Sequence, residues 1–204
     1  MSELTMQIAQ FTPCTEAEGP GKRFAIWFQG CPLRCPGCCN PEFLPFKGGE
    51  PWSLSAMLEE IDCAAQNRGI EGITLLGGEP FAHAATGSEL AKAMQQRSLT
   101  VMVFSGYTME ELKQKEDPFV EELLKHTDIL VDGPYIRELP DNQRRWIGST
   151  NQRIHFLTDR YQADDPCWKQ KNTLEIRLDV NGLSVNGFPS LNGVEFWKGK
   201  FRRL

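Results

Sequence analysis

Four short apolar runs, each closed by small or polar residues and followed by a segment of helical character, constrain this chain more than any other feature of it. The runs are Phe24–Phe28, Ile73–Leu76, Val101–Phe104 and Asp128–Val131, and each has the length of a buried strand. Between the first two, Leu54, Met57, Leu58 and Ile61 recur at i, i+3, i+4 and i+7, the spacing of one helix face. Ser88 is placed to cap a helix running through Leu90, Ala93 and Met94. After the third run, Thr108 and Glu111 fit a capping box and Tyr107 with Leu112 a hydrophobic staple, so a helix starts there. Asp117-Pro118 then supplies the N-cap and first position of a second short helix through Phe119, Leu123 and Leu124. Strand–helix alternation of this kind needs crossover connections, and so predicts a largely parallel sheet of the α/β class.

The strand ends read Gln29-Gly30, Gly77-Gly78-Glu79, Ser105-Gly106 and Asp132-Gly133. In barrel-like α/β folds the C-terminal strand ends form the active face, which makes these residues the first candidates for a site. Arg153–Leu157 reads as one more strand, and then the pattern changes. Leu174–Val180 alternates, Asn181-Gly182 is a type I′ turn signal and Leu183–Gly187 returns, so a β-hairpin is expected over 174–187. Nothing between resembles a linker, and 204 residues that are 40% hydrophobic suffice for one core, so a single domain over 1–204 is expected.

Seven cysteines is an odd number, and four of them fall within nine positions: Cys31, Cys35, Cys38 and Cys39. The start MSELTMQIAQ has neither the basic nor the apolar region of a signal peptide, and no apolar run is long enough to span a bilayer, so a cytoplasmic protein without a membrane segment is expected. In a reducing compartment such crowding suggests a metal site rather than disulfides. A net charge of −5 gives no broad basic surface, which argues against nucleic acid as a partner.

Cys31-Pro-Leu-Arg-Cys35-Pro-Gly-Cys38 is C-x3-C-x2-C, three soft thiolates in one loop. Thiolates suit zinc and iron–sulfur clusters, and a four-iron cube takes one ligand per iron, so three ligands leave one iron open. The rival reading is zinc with Cys39 as fourth ligand; adjacent Cys38 and Cys39 would be strained as two corners of one tetrahedron, and no second C-x-x-C or His pair follows at zinc-finger spacing. Cys39 is read as a neighbour of the cluster.

This loop after the first strand, with Gly77-Gly78-Glu79-Pro80 after the second, resembles the radical S-adenosylmethionine (SAM) superfamily. The resemblance implies a [4Fe–4S] cluster on Cys31, Cys35 and Cys38, with SAM chelating the open iron and its ammonium meeting the Gly77–Pro80 segment. Two glycines allow a close main-chain approach, and Glu79 can supply the opposite charge. More narrowly, Gln29-Gly-Cys-Pro, Pro36-Gly-Cys38 with Asn40, Phe104–Thr108, Val131–Pro134 and Ser149–Arg153 resemble the small activases of glycyl radical enzymes, over most of 16–160. That implies a partial, open (β/α) barrel with the hairpin as a C-terminal extension over 161–204. It also implies reductive cleavage of SAM to methionine and a 5′-deoxyadenosyl radical, a glycyl radical enzyme as protein substrate, and an electron donor such as flavodoxin or ferredoxin.

Two departures stand out. Cys39 replaces the aromatic or His usual in relatives, which bears on packing of the cofactor's adenine, and the tail is extra, so that it could reshape or close the docking face. Ser105 and Gly106 are either a turn or a cofactor contact, and Asp132 either caps a turn or contacts SAM. His83, His126 and His155 read as surface or packing residues, Arg34 as a solvated charge that would ease reduction of an anionic cluster, and Trp197–Leu204 as a basic end. The alternatives to an activase are a radical SAM enzyme for a small molecule or peptide, and a non-enzymatic iron–sulfur or zinc protein.

Overall fold

The computed structural model describes residues 4–179 and 182–187. In chain order its elements are β1 (Thr5–Thr15), β2 (Arg23–Phe28), β3 (Glu50–Ser53), α1 (Leu54–Arg68), β4 (Gly72–Gly77), α2 (Ala84–Gln96), β5 (Thr100–Phe104), α3 (Met109–Lys113), α4 (Pro118–Lys125), β6 (Ile129–Asp132), β7 (Arg153–Phe156), β8 (Leu174–Asp179) and β9 (Gly182–Gly187). The first seven strands form one mixed sheet in the order β3-β1-β2-β4-β5-β6-β7, with β2, β4, β5 and β6 parallel at its centre. The expected α/β class and parallel crossovers are therefore present.

Each central strand is covered on both faces, which is why it reads as an unbroken apolar run. Phe24, Ile26 and Phe28 of β2 pack with Met57 and Ile61 of α1 and Leu90 and Met94 of α2 on the helical side. Trp27 and Leu76 share a small cluster on the other side with Phe104, which also packs against Met102, Ile129, Val131, Trp146 and Ile147. Arg23, at the start of β2, is fully buried and its guanidinium donates to Thr74, Thr100 and the Ile73 carbonyl, tying three strands together at the end away from the cysteines. Burial lowers its pKa, and the three acceptors compensate for the lost water.

Two strands escaped the sequence pattern. β1 has register shifts between Ile8 and Gln10 and between Thr12 and Thr15, and each breaks the two-residue alternation. β3 is a four-residue edge strand carrying Pro51, which an edge tolerates.

Helix starts mostly follow the expected chemistry. Thr108 and Glu111 make both bonds of the capping box, and the Asp117 side chain accepts from Phe119 N–H at the start of α4. The Ser88 cap is a correction: α2 begins four residues earlier at Ala84, and Ser88 sits buried inside it, donating to the Ala85 carbonyl. A 3-10 turn over Pro80–His83 feeds straight into the helix, so no isolated cap was needed.

The extension is woven into the second core. Trp168 meets Trp146 edge-on at 5.2 Å and Phe156 at 5.3 Å, Tyr161 and Cys167 pack beside them, and Asn172 accepts from the Trp146 N–H. The β8–β9 hairpin is present over Leu174–Gly187; its expected turn at Asn181 falls outside the described residues, as does the basic end at Trp197–Leu204. The hairpin lies against 12–18, through Glu16 N–H to Glu175 (2.7 Å), Asn186 to Thr12 (3.1 Å) and Gly187 N–H to Glu18 (2.7 Å). Because Thr15 pairs with Arg23 and Ile8 with Phe28, this is the end of β1 remote from the cysteine loop. No helix among the described residues is long and apolar enough to cross a membrane.

Candidate functional site

The cysteine loop is fixed where β2 ends. Gly30 N–H donates to the Phe43 carbonyl (2.8 Å) and Cys31 N–H to the Leu44 carbonyl (3.0 Å), folding 31–44 back as a pin. The Gln29 amide braces the returning limb by donating to the Glu42 and Pro45 carbonyls at 3.2 and 2.6 Å. Gly30 has φ +106°, and a side chain there would strike the Phe46 ring. Cys31 is buried, Cys35 and Cys38 are half-buried and Cys39 is exposed.

All four cysteines line one cleft with Leu33, Leu44, Gly77, Gly78, Glu79, Phe104, Ser105, Gly106, Gly133, Tyr135 and Gln152. The C-terminal ends of β2, β4, β5 and β6 thus meet at one place, as the parallel topology requires. The two glycines after β4 serve the packing of the backbone: side chains at Gly77 or Gly78 would run into Trp27–Phe28 and Gly30 main chain. Gly78 N–H then reaches the Phe28 carbonyl at 2.7 Å and Glu79 N–H the Gly30 carbonyl at 2.9 Å.

Glu79 is buried against the cleft wall. Its Oε1 accepts from Phe81 N–H (3.0 Å) and the Ser105 hydroxyl (2.9 Å), and its Oε2 from Gly106 N–H (2.9 Å). The side chain therefore bolts the end of β4 to the end of β5. Burial raises its pKa to about 7, against the pull of those donors. Pro80 does not line the cleft; it opens the buried 3-10 turn that Glu79 caps.

Asp132 is likewise absent from the cleft lining. Its buried carboxylate accepts from Met109 N–H (2.6 Å) and from Arg153 Nε (3.1 Å) and Nη2 (2.5 Å), with His155 Nε2 at 3.0 Å. Burial pushes its pKa up, but the Arg153 guanidinium and the Met109 amide outweigh it and hold the carboxyl below the usual range. It locks α3, β6 and β7 together, and the neighbouring Gly133 reaches the cleft instead. His83 stacks on Phe28 at 5.0 Å and His126 meets Gln95, so neither stands in the cleft.

Sequence reasoning missed Leu33, Leu44, Tyr135 and Gln152 as lining residues. Gln152 was inside the noted Ser149–Arg153 segment: its amide donates to the Gly133 carbonyl (3.1 Å) and accepts from Gly148 and Ser149 N–H. Tyr135 gave no signal, because its position depends on a loop folding back from β6. Among the described residues, no three His, Cys, Asp or Glu side chains gather closely enough to hold a single metal ion. The donor set is soft and opens onto one cleft, which fits an iron–sulfur cluster. Burial pushes the Cys31 and Cys35 thiols up, and a bound cation would favour their thiolates.

Residues 17–155 match the family described as a 4Fe-4S single cluster domain. The chain is similar to the anaerobic ribonucleoside-triphosphate reductase-activating protein of Enterobacteria phage T4, 30% identical over 158 residues that span 76% of this chain and 96% of that protein. The protein of the same name from Escherichia coli (strain K12) is 30% identical over 159 residues, 74% of this chain and 99% of the other. Among solved structures, QueE from Escherichia coli aligns with 51% of this chain and 53% of its own, at 17% identity and a TM-score of 0.38, a likeness too slight to carry an argument.

Proposed function

This chain belongs to the 4Fe-4S single cluster domain family, and from that membership we propose that it is a radical SAM activase whose substrate is a glycyl radical protein. The observation that carries the reading is the shared cleft, lined by Cys31, Cys35 and Cys38, the Gly77–Glu79 segment and the Ser105–Gly106 end of β5. Cys31, Cys35 and Cys38 would hold a [4Fe–4S] cluster, and three protein ligands would leave one iron open to SAM. When bound, cluster and SAM together supply methionine and a 5′-deoxyadenosyl radical able to take hydrogen from a glycine Cα.

The chain's own part is to bind and orient. Glu79 lines the cleft, its Oε2 accepts a single amide bond, and a cationic group beside it would bring its raised pKa back down. Ser105 and Gly106 fix that carboxylate in place, and Cys39 and Phe104 border the space left for a base or ribose. The sheet ends in β3 and β7, which do not pair with each other, as a partial, open (β/α) barrel requires. We take 1–204 as one domain, with flavodoxin or ferredoxin as the class of electron donor.

The test uses anaerobically reconstituted protein. Iron and sulfide should approach one [4Fe–4S] per chain and be lost in Cys31→Ala, Cys35→Ala and Cys38→Ala but kept in Cys39→Ala. Reduced protein with SAM should form 5′-deoxyadenosine, and adding a candidate glycyl radical protein should give a carbon-centred radical on that partner. Equal cluster loss in Cys39→Ala would indicate a four-thiolate site and end the open-iron reading; stimulation by a small metabolite instead of any protein would replace the activase.

A further inference from the structure

Gly37 stands between two of the cluster ligands, Cys35 and Cys38, with φ +78° and no side chain of its own. The space beside it is filled from another element. A methyl group built on Gly37 would lie 3.1 Å from Arg137 Cδ, 3.5 Å from Cβ and 3.6 Å from Cγ, so the arginine stem lies flat over the loop. Cδ is the nearest of the three, so the charged end of the side chain begins from an atom already against the loop between Cys35 and Cys38. Two residues back on the same segment, Tyr135 lines the cleft. Arg137 is exposed, and among the described residues its charge enters no ion pair.

Resting on the assignment of the cluster to Cys31, Cys35 and Cys38, we propose that Arg137 is a positioning residue for that cluster, its stem bracing Gly37 between two ligands and its charge favouring the reduced form. One-electron reduction adds a unit of negative charge to an already anionic thiolate cluster. A cation within a Debye length stabilises the reduced state more than the oxidised one, and charge near the sulfurs is one of the established levers on cluster potential. Arg34, the cation offered by the sequence, lies on the loop itself; Arg137 reaches it from the segment after β6, so its effect depends on that segment being in place.

The experiment is a redox titration of the full-length reconstituted protein without SAM, followed by the paramagnetic signal of the reduced cluster, with iron and sulfide counted in each sample. Arg137→Met keeps a straight stem and removes the charge; its midpoint should move to more negative potential at unchanged iron content. Arg137→Lys should return towards the wild-type value, and the gap between wild type and Arg137→Met should narrow at about 1 M salt, where the Debye length is about 3 Å. Lys113→Met, an exposed cation on α3, should leave the potential where it is. A fully loaded Arg137→Met at wild-type potential would overturn the inference, as would Arg137→Lys shifted as far as Arg137→Met, since that would assign the effect to shape alone. If Arg137→Met fails to load, the Lys variant and the salt response of the wild type decide. A wild type that binds no cluster would instead remove the assignment of the three cysteines.

Discussion

Glu79 sits among three donors, the Phe81 and Gly106 amides and the Ser105 hydroxyl, yet burial lifts its pKa from 4.5 to about 7. The protonated carboxyl is thus favoured in the folded, cluster-free chain. Its contribution to stability is complete below about pH 4.5 and is lost as pH rises through about 7, an effect on the order of 3 kcal/mol. Glu18, lifted to about 8 by burial and by the like charge of Glu175 against the pull of the Gly187 amide, acts in the same sense over a slightly higher range. Glu79→Gln should therefore flatten the fall in denaturation midpoint of the cluster-free protein between pH 4.5 and 7. An unchanged pH profile would mean that the carboxylate is already ionised across that range.

At the scale of elements, the decisive joint is Asp132, where β6, β7 and the start of α3 converge on one carboxylate. Its sign is opposite to that of Glu79. With a pKa held below the ordinary carboxylate value, it contributes stability above pH 4 or so, and the contribution disappears as acid protonates it. Asp132→Asn would replace one acceptor oxygen by a donor facing Arg153 or the Met109 amide. We expect a loss of about 2 kcal/mol in denaturant unfolding with the slope unchanged, discounted from the buried-pair range because Arg153 is 45% exposed. Because Gly133 and Gln152 flank this joint, the variant should also weaken SAM binding without touching iron content. A full-strength cofactor response in a destabilised Asp132→Asn would separate the joint from the cleft.

For the whole molecule, the question is why about a quarter of the chain has no counterpart in relatives that are matched almost end to end. The extension is no appendage, since Trp168 and Tyr161 complete the core around Trp146, a residue 1% exposed and held with φ +60°. A chain stopped after residue 160 would bare Trp146 and strand its backbone N–H, and should lose roughly 3 kcal/mol or aggregate. A chain stopped after residue 173 keeps Trp168 and Asn172, and should bind the cluster and cleave SAM like the full protein. Its activity on a protein partner should also persist, because the hairpin bonds to Thr12, Glu16 and Glu18, none of which lines the cleft. Loss of partner activation with SAM cleavage intact would show that the hairpin docks the partner after all.

The sequence by itself determined what is local or repetitive. The parallel strands were legible because burial on both faces makes them continuous apolar runs, the capping box at Thr108 because its bonds span three residues, and the grouping of the cysteines because they fall in one loop after a strand end. Tertiary structure decided everything that joins distant segments. β1 was hidden by its bulges, and the burial of Arg23 depends on Thr74 and Thr100, which lie 51 and 77 residues away in the chain. Asp132, at a strand end like Ser105, was turned away from the cleft by Arg153, while Tyr135 and Arg137 were brought to the cysteine loop by a return path from β6. The physical reason is the same in each case: a side chain's partner across the fold sets its direction, and sequence spacing carries no record of that partner.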